Sequence, residues 1–142
     1  MNTNQRFAIS VHALTLLAAN ADPLTSEAIA SSVGTNPVVI RRTMASLREL
    51  DIVESKSGTN GGWSLAREPK KIGLCEVYRS LGEVNVLTVH GHPNKLCSIG
   101  GNISGVLQSV FDDAQSELEK ALAGYTVADI LKDVLKKANG SA

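Results

Sequence analysis

Apolar residues of this 142-residue chain recur at three- and four-residue spacings over most of its length, and the pattern breaks most clearly between residues 52 and 66. From about 4 to 19, Phe7, Val11, Leu14 and Leu17 or Ala18 form one stripe, which predicts an amphipathic helix that "NADPL" ends. Thr25 or Ser26 can cap a short second helix. Glu27 suits its positive first turn, Ala28, Ile29 and Val33 supply a packing face, and Gly34 closes it. A third helix starts at Asn36 or Pro37, because an Asn cap followed by proline satisfies the first turn. At about 100° per residue, Ile40, Met44, Leu47 and Asp51 share one side, with Thr43 and Leu50 beside them. Val38, Arg42, Ala45 and Glu49 fall on the other side, flanked by Arg41. The first side is expected in the core and the second is expected to face outward.

The break reads "IVESKS", "GTNGG", "WSLAREP": two short strands joined by a glycine-rich turn. Trp63 and Leu65 lie on one strand face and would pin the root of the hairpin, while glycines let its tip take positive φ angles and approach another surface closely. A short helix, a turn closed by Gly34 and a longer helix with arginines near its exposed start make a helix-turn-helix, and a hairpin beside it is a wing. The expected fold is therefore mostly α with a small β-hairpin wing: a winged helix-turn-helix plus a long dimerisation helix. In such a motif the second helix enters the major groove and its N-terminal residues reach base edges. Candidate DNA contacts are Asn36, Val38, Arg41, Arg42 and Ala45 on that helix and Lys56, Asn60 and Gly61 on the wing. Arg67, Lys70 and Lys71 read as peripheral phosphate contacts or solvated charge.

Beyond the wing, Leu74, Val77, Tyr78 and Leu81 surround Cys75, which reads as a small buried hydrophobe. From Gly101 or Asn102 to Ala123, the residues Ile103, Leu107, Val110, Phe111, Ala114, Leu118, Ala121 and Leu122 predict a helical rod of roughly 30 Å. The natural partner for so long a stripe is the same helix of a second copy, with a purely intramolecular core as the competing account. "TVAD" caps a last helix in which Val127, Ile130, Leu131, Val134 and Leu135 pack and Lys136 and Lys137 suit the C-terminal dipole. The expected organisation is a winged helix-turn-helix over 1–82, an effector or sensor loop over 83–100, dimerisation and C-terminal helices over 101–137, and a disordered tail over 138–142.

Charge modifies this picture. The net charge is zero, which argues against binding nucleic acid by bulk electrostatics. Its distribution is uneven: residues 36–72 carry seven cations against four acids, while residues from 73 onward carry six against eight. Only the first region suits a phosphate backbone. Two cysteines, Cys75 and Cys97, cannot build a disulfide framework. No apolar run approaches the ~18 residues of a membrane span, so no membrane partner is expected and the protein is expected in the cytoplasm. Among motifs for chemistry there is no glycine-rich phosphate loop, no paired metal-ligand helix and no nucleophile motif, so an enzyme is not expected.

The order "SEAIASSVGTNPVVIRRTMASLRELDIVESKSGTNGGWSLAREPKKIGLCEVYRSL", followed by a loop carrying Cys97 and then "GNISGVL", resembles the Rrf-two family of bacterial winged-helix regulators over nearly the whole chain. That family includes the iron-sulfur cluster regulator, the nitric-oxide-sensing repressor and the cysteine-metabolism repressor. The resemblance implies a homodimer on a roughly palindromic double-stranded DNA operator, with a long helix crossing between protomers; a repressor is expected, and its effector, a small molecule or a protein, is left open by the sequence. Several members hold an iron-sulfur cluster on three loop cysteines. The matching loop here, "NVLTVHGHPNKLCSIGG", keeps Cys97 alone, and one thiolate per chain is too few for that pattern, so no cofactor is expected. His90, His92 and Cys97 are candidates for a divalent metal, although their spacing matches no established motif. Cys97 is otherwise a redox-sensing thiol or an inert loop cysteine. His12 reads as a packed or surface histidine, and Ala8 one turn earlier has no ligating atom.

Overall fold

The computed structural model describes residues 3–82 and 85–140. Helix α1 spans Thr3–Ala18, α2 Ser26–Val33 and α3 Pro37–Glu49. Strands β1 (Val53–Lys56) and β2 (Gly62–Leu65) form the hairpin, and a 3-10 turn at Pro69–Lys71 leads into α4 (Leu74–Arg79). After the loop come α5 (Ile103–Ala123) and α6 (Val127–Ala138).

The helix ends follow from local chemistry. The Thr25 side chain accepts the Ala28 amide at the start of α2, and Gly34, at φ 85°, closes that helix with its amide on the Ala30 carbonyl. The Asn36 side chain accepts the Val39 amide, and Pro37 follows at a position whose amide is not needed. At α6, Thr126 and Asp129 form a reciprocal capping box.

The core collects Leu14 and Leu17 from α1, Ile29 from α2, Ile40, Met44 and Leu47 from α3, Ile52 and Val53 at the start of the hairpin, and Ile72, Val77 and Val127 beyond it. Buried Ser10 and Thr15 break the apolar pattern without cost, because their hydroxyls donate to the Arg6 and Val11 carbonyls one turn back. Phe7 meets Tyr78 edge-on at 5.4 Å, joining α1 to α4. Asp51 does not join the core face: α3 stops at Glu49, and Asp51 stands exposed at φ 56° in the turn to β1. Leu50 is exposed as well. Cys75 is buried in α4. In α6, Val127 is fully buried, whereas Val134 and Leu135 are about half exposed along an apolar trough beside α1. Helix α6 packs on α1, and Ala138 still belongs to it; residues 141–142 lie outside the described residues.

The hairpin is in fact three-stranded at its root. Leu24, between α1 and α2, exchanges both backbone hydrogen bonds with Trp63, at 2.8 and 3.0 Å. Gly62, at φ 142°, lies so near the Leu24 carbonyl that a Cβ there would collide with it. Helix α5 contributes no buried residue, and α4 is the element it mainly lies against. No helix among the described residues is long and apolar enough to cross a membrane.

Gly62→Ala combines a disfavoured φ with that collision and should cost about 1–3 kcal/mol of stability. Gly58→Ala carries a positive φ into open space and should cost less. Urea unfolding midpoints of the two variants check the order; equal losses would mean that the Leu24 contact constrains nothing.

Candidate nucleic-acid interface

Helix α3 is positioned by its buried side, since Ile40, Met44 and Leu47 are 0–1% exposed and leave the opposite face no choice but solvent. Val38 is about half exposed, Arg41, Arg42 and Glu49 are exposed, and Ala45 is half-buried. Asn36 is spent on the cap, so its side-chain oxygen is held by the Val39 amide at 3.0 Å. The two neighbouring arginines differ. Arg41 reaches back to Glu27 of α2 at 3.5 Å, a solvent-exposed pair of small energetic weight. Arg42 has no carboxylate partner among the described residues.

The wing stands beside the C-terminal end of α3. Its register pairs Val53 with Leu65, Glu54 with Ser64, Ser55 with Trp63 and Lys56 with Gly62. Lys56 therefore closes the ladder, exposed, and Asn60 sits exposed in the turn at φ 64°. Gly61 is half-buried, and a side chain there would strike the Lys56 carbonyl. Two of the three tip glycines thus serve the hairpin's own packing, while Gly58, at φ 91° with nothing near it, is open to another surface.

Trp63 sets the angle between wing and helix. The residue is 9% exposed, its Nε1–H donates to Ser26 Oγ at 3.0 Å, and the Arg48 guanidinium lies 5.5 Å from its ring centroid while donating to Ser55 Oγ at 3.2 Å. Arg67 is neither a peripheral contact nor solvated charge. Its guanidinium makes two bonds to Glu76, at 2.7 and 2.9 Å, and others to the Leu50 and Asp51 carbonyls at 2.7 and 3.1 Å. Glu76 raises its pKa accordingly. Lys70 and Lys71 both lie near Glu68, at 3.6 and 3.8 Å. Periodicity gave no signal for Arg48, Ser26 or Arg67, whose partners lie 7 to 37 residues away.

In the loop, His90, His92 and Cys97 are all exposed, and among the described residues no three His, Cys, Asp or Glu side chains gather as metal donors. Amides of Gly100 and Ile99 donate to the Cys97 sulfur and hold its pKa below the usual thiol range. His12 is exposed, with Nε2 3.1 Å from Ser32 Oγ.

The lowered pKa means that thiolate persists to lower pH. Maleimide or iodoacetamide labelling of Cys97 should therefore reach half its maximal rate at a pH below that of free cysteine, with buried Cys75 unlabelled until the protein unfolds. An unshifted profile would show that the amides do not reach the sulfur in solution.

Comparison with known proteins bears on the whole arrangement. The family profile described as "Rrf2: Iron-dependent Transcriptional regulator" matches residues 3–133. The chain is similar to YwnA of Bacillus subtilis, a candidate HTH-type transcriptional regulator, at 38% identity over 90% of this chain and 96% of YwnA. Among solved structures, it resembles a candidate DNA-binding protein at 34% identity, covering 89% of this chain and 98% of that one with a TM-score of 0.71. It also resembles IscR of T. potens at 26% identity, covering 94% and 88%, again with a TM-score of 0.71. Profile, relatives and winged-helix geometry agree over nearly the full length, and the chain belongs to the Rrf2 family of transcriptional regulators.

Proposed function

We propose that this protein is a sequence-specific DNA-binding repressor that works as a homodimer in the cytoplasm and carries no iron-sulfur cluster. The observation that carries the reading is the pairing of an outward, arginine-bearing α3 with a wing locked to it through Trp63. A helix of this diameter fits the major groove, and a wing held at a fixed angle reaches the adjacent backbone or minor groove. Arg41 and Arg42 read guanine edges or grip phosphates, Val38 and Ala45 approach thymine methyls, and Lys56, Asn60 and the backbone at Gly61 contact the flanking groove.

Dimerisation is supported by α5. Val106 and Val110 are 61% and 55% exposed, Ile103, Leu107, Phe111 and Leu118 are only half-buried, and no residue of the helix is buried within the chain. A 21-residue helix with such a stripe gains by packing against its own copy about a twofold axis. In this reading residues 1–82 address DNA, 83–100 respond to an effector, and 101–137 hold the dimer and fold back on the core. The donor set does not fit a three-thiolate cluster: Cys97 is the loop's single thiol, and Cys75 is enclosed in α4.

Binding to duplex should weaken steeply as salt rises. At fixed salt, Arg42→Ala should lower operator affinity by roughly ten- to a hundredfold, the equivalent of about 1–3 kcal/mol. Fluorescence anisotropy on operator and random duplexes checks both. Absence of duplex binding at low salt would leave a winged-helix module for a protein partner, a reading that the zero net charge leaves open.

Sedimentation velocity should find a dimer at micromolar concentration. Val110→Glu, which places charge on the exposed stripe, should yield folded monomers with reduced operator affinity. A wild-type monomer would remove α5 as the interface.

A further inference from the structure

The six arginines of the chain are not used alike. Arg41, Arg67 and Arg79 each have a carboxylate, Glu27, Glu76 and Glu119, at 3.5, 2.7 and 2.7 Å. Arg48 lies over Trp63 and donates to Ser55. Among the described residues, that leaves Arg6 and Arg42 without a side-chain partner. Both line the same cavity of about 490 Å³, where α1, α3 and the end of α4 meet.

The remaining polar wall is made of hydroxyls. Ser10, Thr43, Ser46 and Ser80 line it, and no acidic side chain does. Each hydroxyl donates to a carbonyl of its own helix segment: Arg6, Val39, Arg42 and Val77 respectively. They keep the wall small and polar without supplying negative charge, so the free donors are the two guanidiniums. The two guanidiniums share one concavity with no carboxylate beside them among the described residues, while every other arginine of the chain has a side-chain partner. An anion matches their forked donors.

We infer that Arg6 and Arg42 form a two-guanidinium clamp for a phosphate group, supplied by the backbone of the duplex that α3 addresses. The inference rests on the proposed function and adds α1 to its contact surface. The backbone is the favoured source because the cavity adjoins the outward half of α3, both arginines are exposed, and Arg6 stands in the first turn of α1, where the helix end is itself positive. Such a contact positions the protein on the duplex and reads no base.

The test is fluorescence anisotropy on a random-sequence duplex of about 25 base pairs across a range of salt, a length that spans more than two helical turns. Arg6→Ala should weaken binding on the order of tenfold whatever the sequence, and flatten the log–log salt slope by about 1. Arg6→Lys should restore the slope, which a merely structural arginine would not require. With Arg42→Ala already in place, Arg6→Ala should cost less than it does alone, because the pair grips one group. Inorganic phosphate, exchanged for chloride at constant ionic strength, separates the sources. No competition supports the backbone, whereas competition that disappears in Arg6→Ala supports the clamp with a free anion as its ligand. If the wild type binds duplex steeply while Arg6→Ala, folded by its melting curve, matches it in affinity and slope, the clamp is overturned and the DNA reading stands. A wild type that binds neither duplex nor inorganic phosphate overturns both.

Discussion

The geometry of the outward surface depends on how Trp63 is held. Its backbone pairs with Leu24 on one side and opposes Ser55 on the other, its indole N–H ends on Ser26, and Arg48 closes over its ring. One rigid side chain thereby references the α1–α2 connection, the start of α2, the end of α3 and both strands of the hairpin to a common point. A buried indole N–H left without an acceptor costs about 1–3 kcal/mol, so Ser26 is fixed as firmly as the ring. The wing tip is exposed and glycine-rich, but its root is tied to α2 through Ser26 and to α3 through Arg48. An exposed loop can therefore present Lys56 and Asn60 at a set distance from the helix.

A second clamp fixes the other end of the same strand. Arg67 follows β2 and spends its guanidinium on the Leu50 and Asp51 carbonyls, just past the end of α3, and on Glu76 of α4. Helix termini leave carbonyls unsatisfied, and a forked cation suits them both by hydrogen bonding and by the dipole. Helix α4 then continues outward: Arg79 pairs with Glu119, and Gln115 donates to the Tyr78 hydroxyl. The bond from Arg79 lowers the pKa of Glu119, so this link is present at neutral pH and is lost only as pH falls through that lowered value. A helix of six residues is thus the main tie between the long rod and the winged half.

What was legible in the sequence divides along the range of the interactions. Caps and stripes are written within a few residues, so Thr25, Gly34, Asn36 and Thr126 mark helix ends correctly, and the periodicity from Ile103 to Leu122 marks the extent of α5. Partners far apart in sequence are not legible in this way. Nothing local distinguishes Arg67, with four hydrogen bonds, from Arg42, with no side-chain partner among the described residues, or tells that Arg41 turns toward Glu27. Leu24 forms a strand of one residue, which no period of two can reveal. Asp51 fits the helical wheel, yet the helix has ended before reaching it, because the chain must turn to place Ile52 and Val53 in the core. The glycines of the wing showed that backbone comes close to something; the fold shows that for Gly61 and Gly62 this is the protein's own backbone.

Zero net charge is a weak guide to function for a related reason. A total counts each arginine equally, whereas the fold neutralises them one by one. Arg67 and Arg79 are held by carboxylates at 2.7 Å and Arg48 is stacked on a ring, and such groups offer little to an external anion, whereas the exposed 3.5 Å pair of Arg41 with Glu27 is weak enough to exchange for one. The acids that bring the sum to zero are concentrated after residue 73, where α5 and α6 carry most of them. Cations are left over at the junction of α1 with α3, the surface proposed to meet the duplex. A phosphate backbone responds to charge within about a Debye length, ~8–10 Å at physiological salt, so it senses that local remainder far more than the sum over the chain. On the proposed function, neutrality of the whole limits non-specific adhesion, and the unpaired arginines keep attraction on the side of α3 that the duplex would meet.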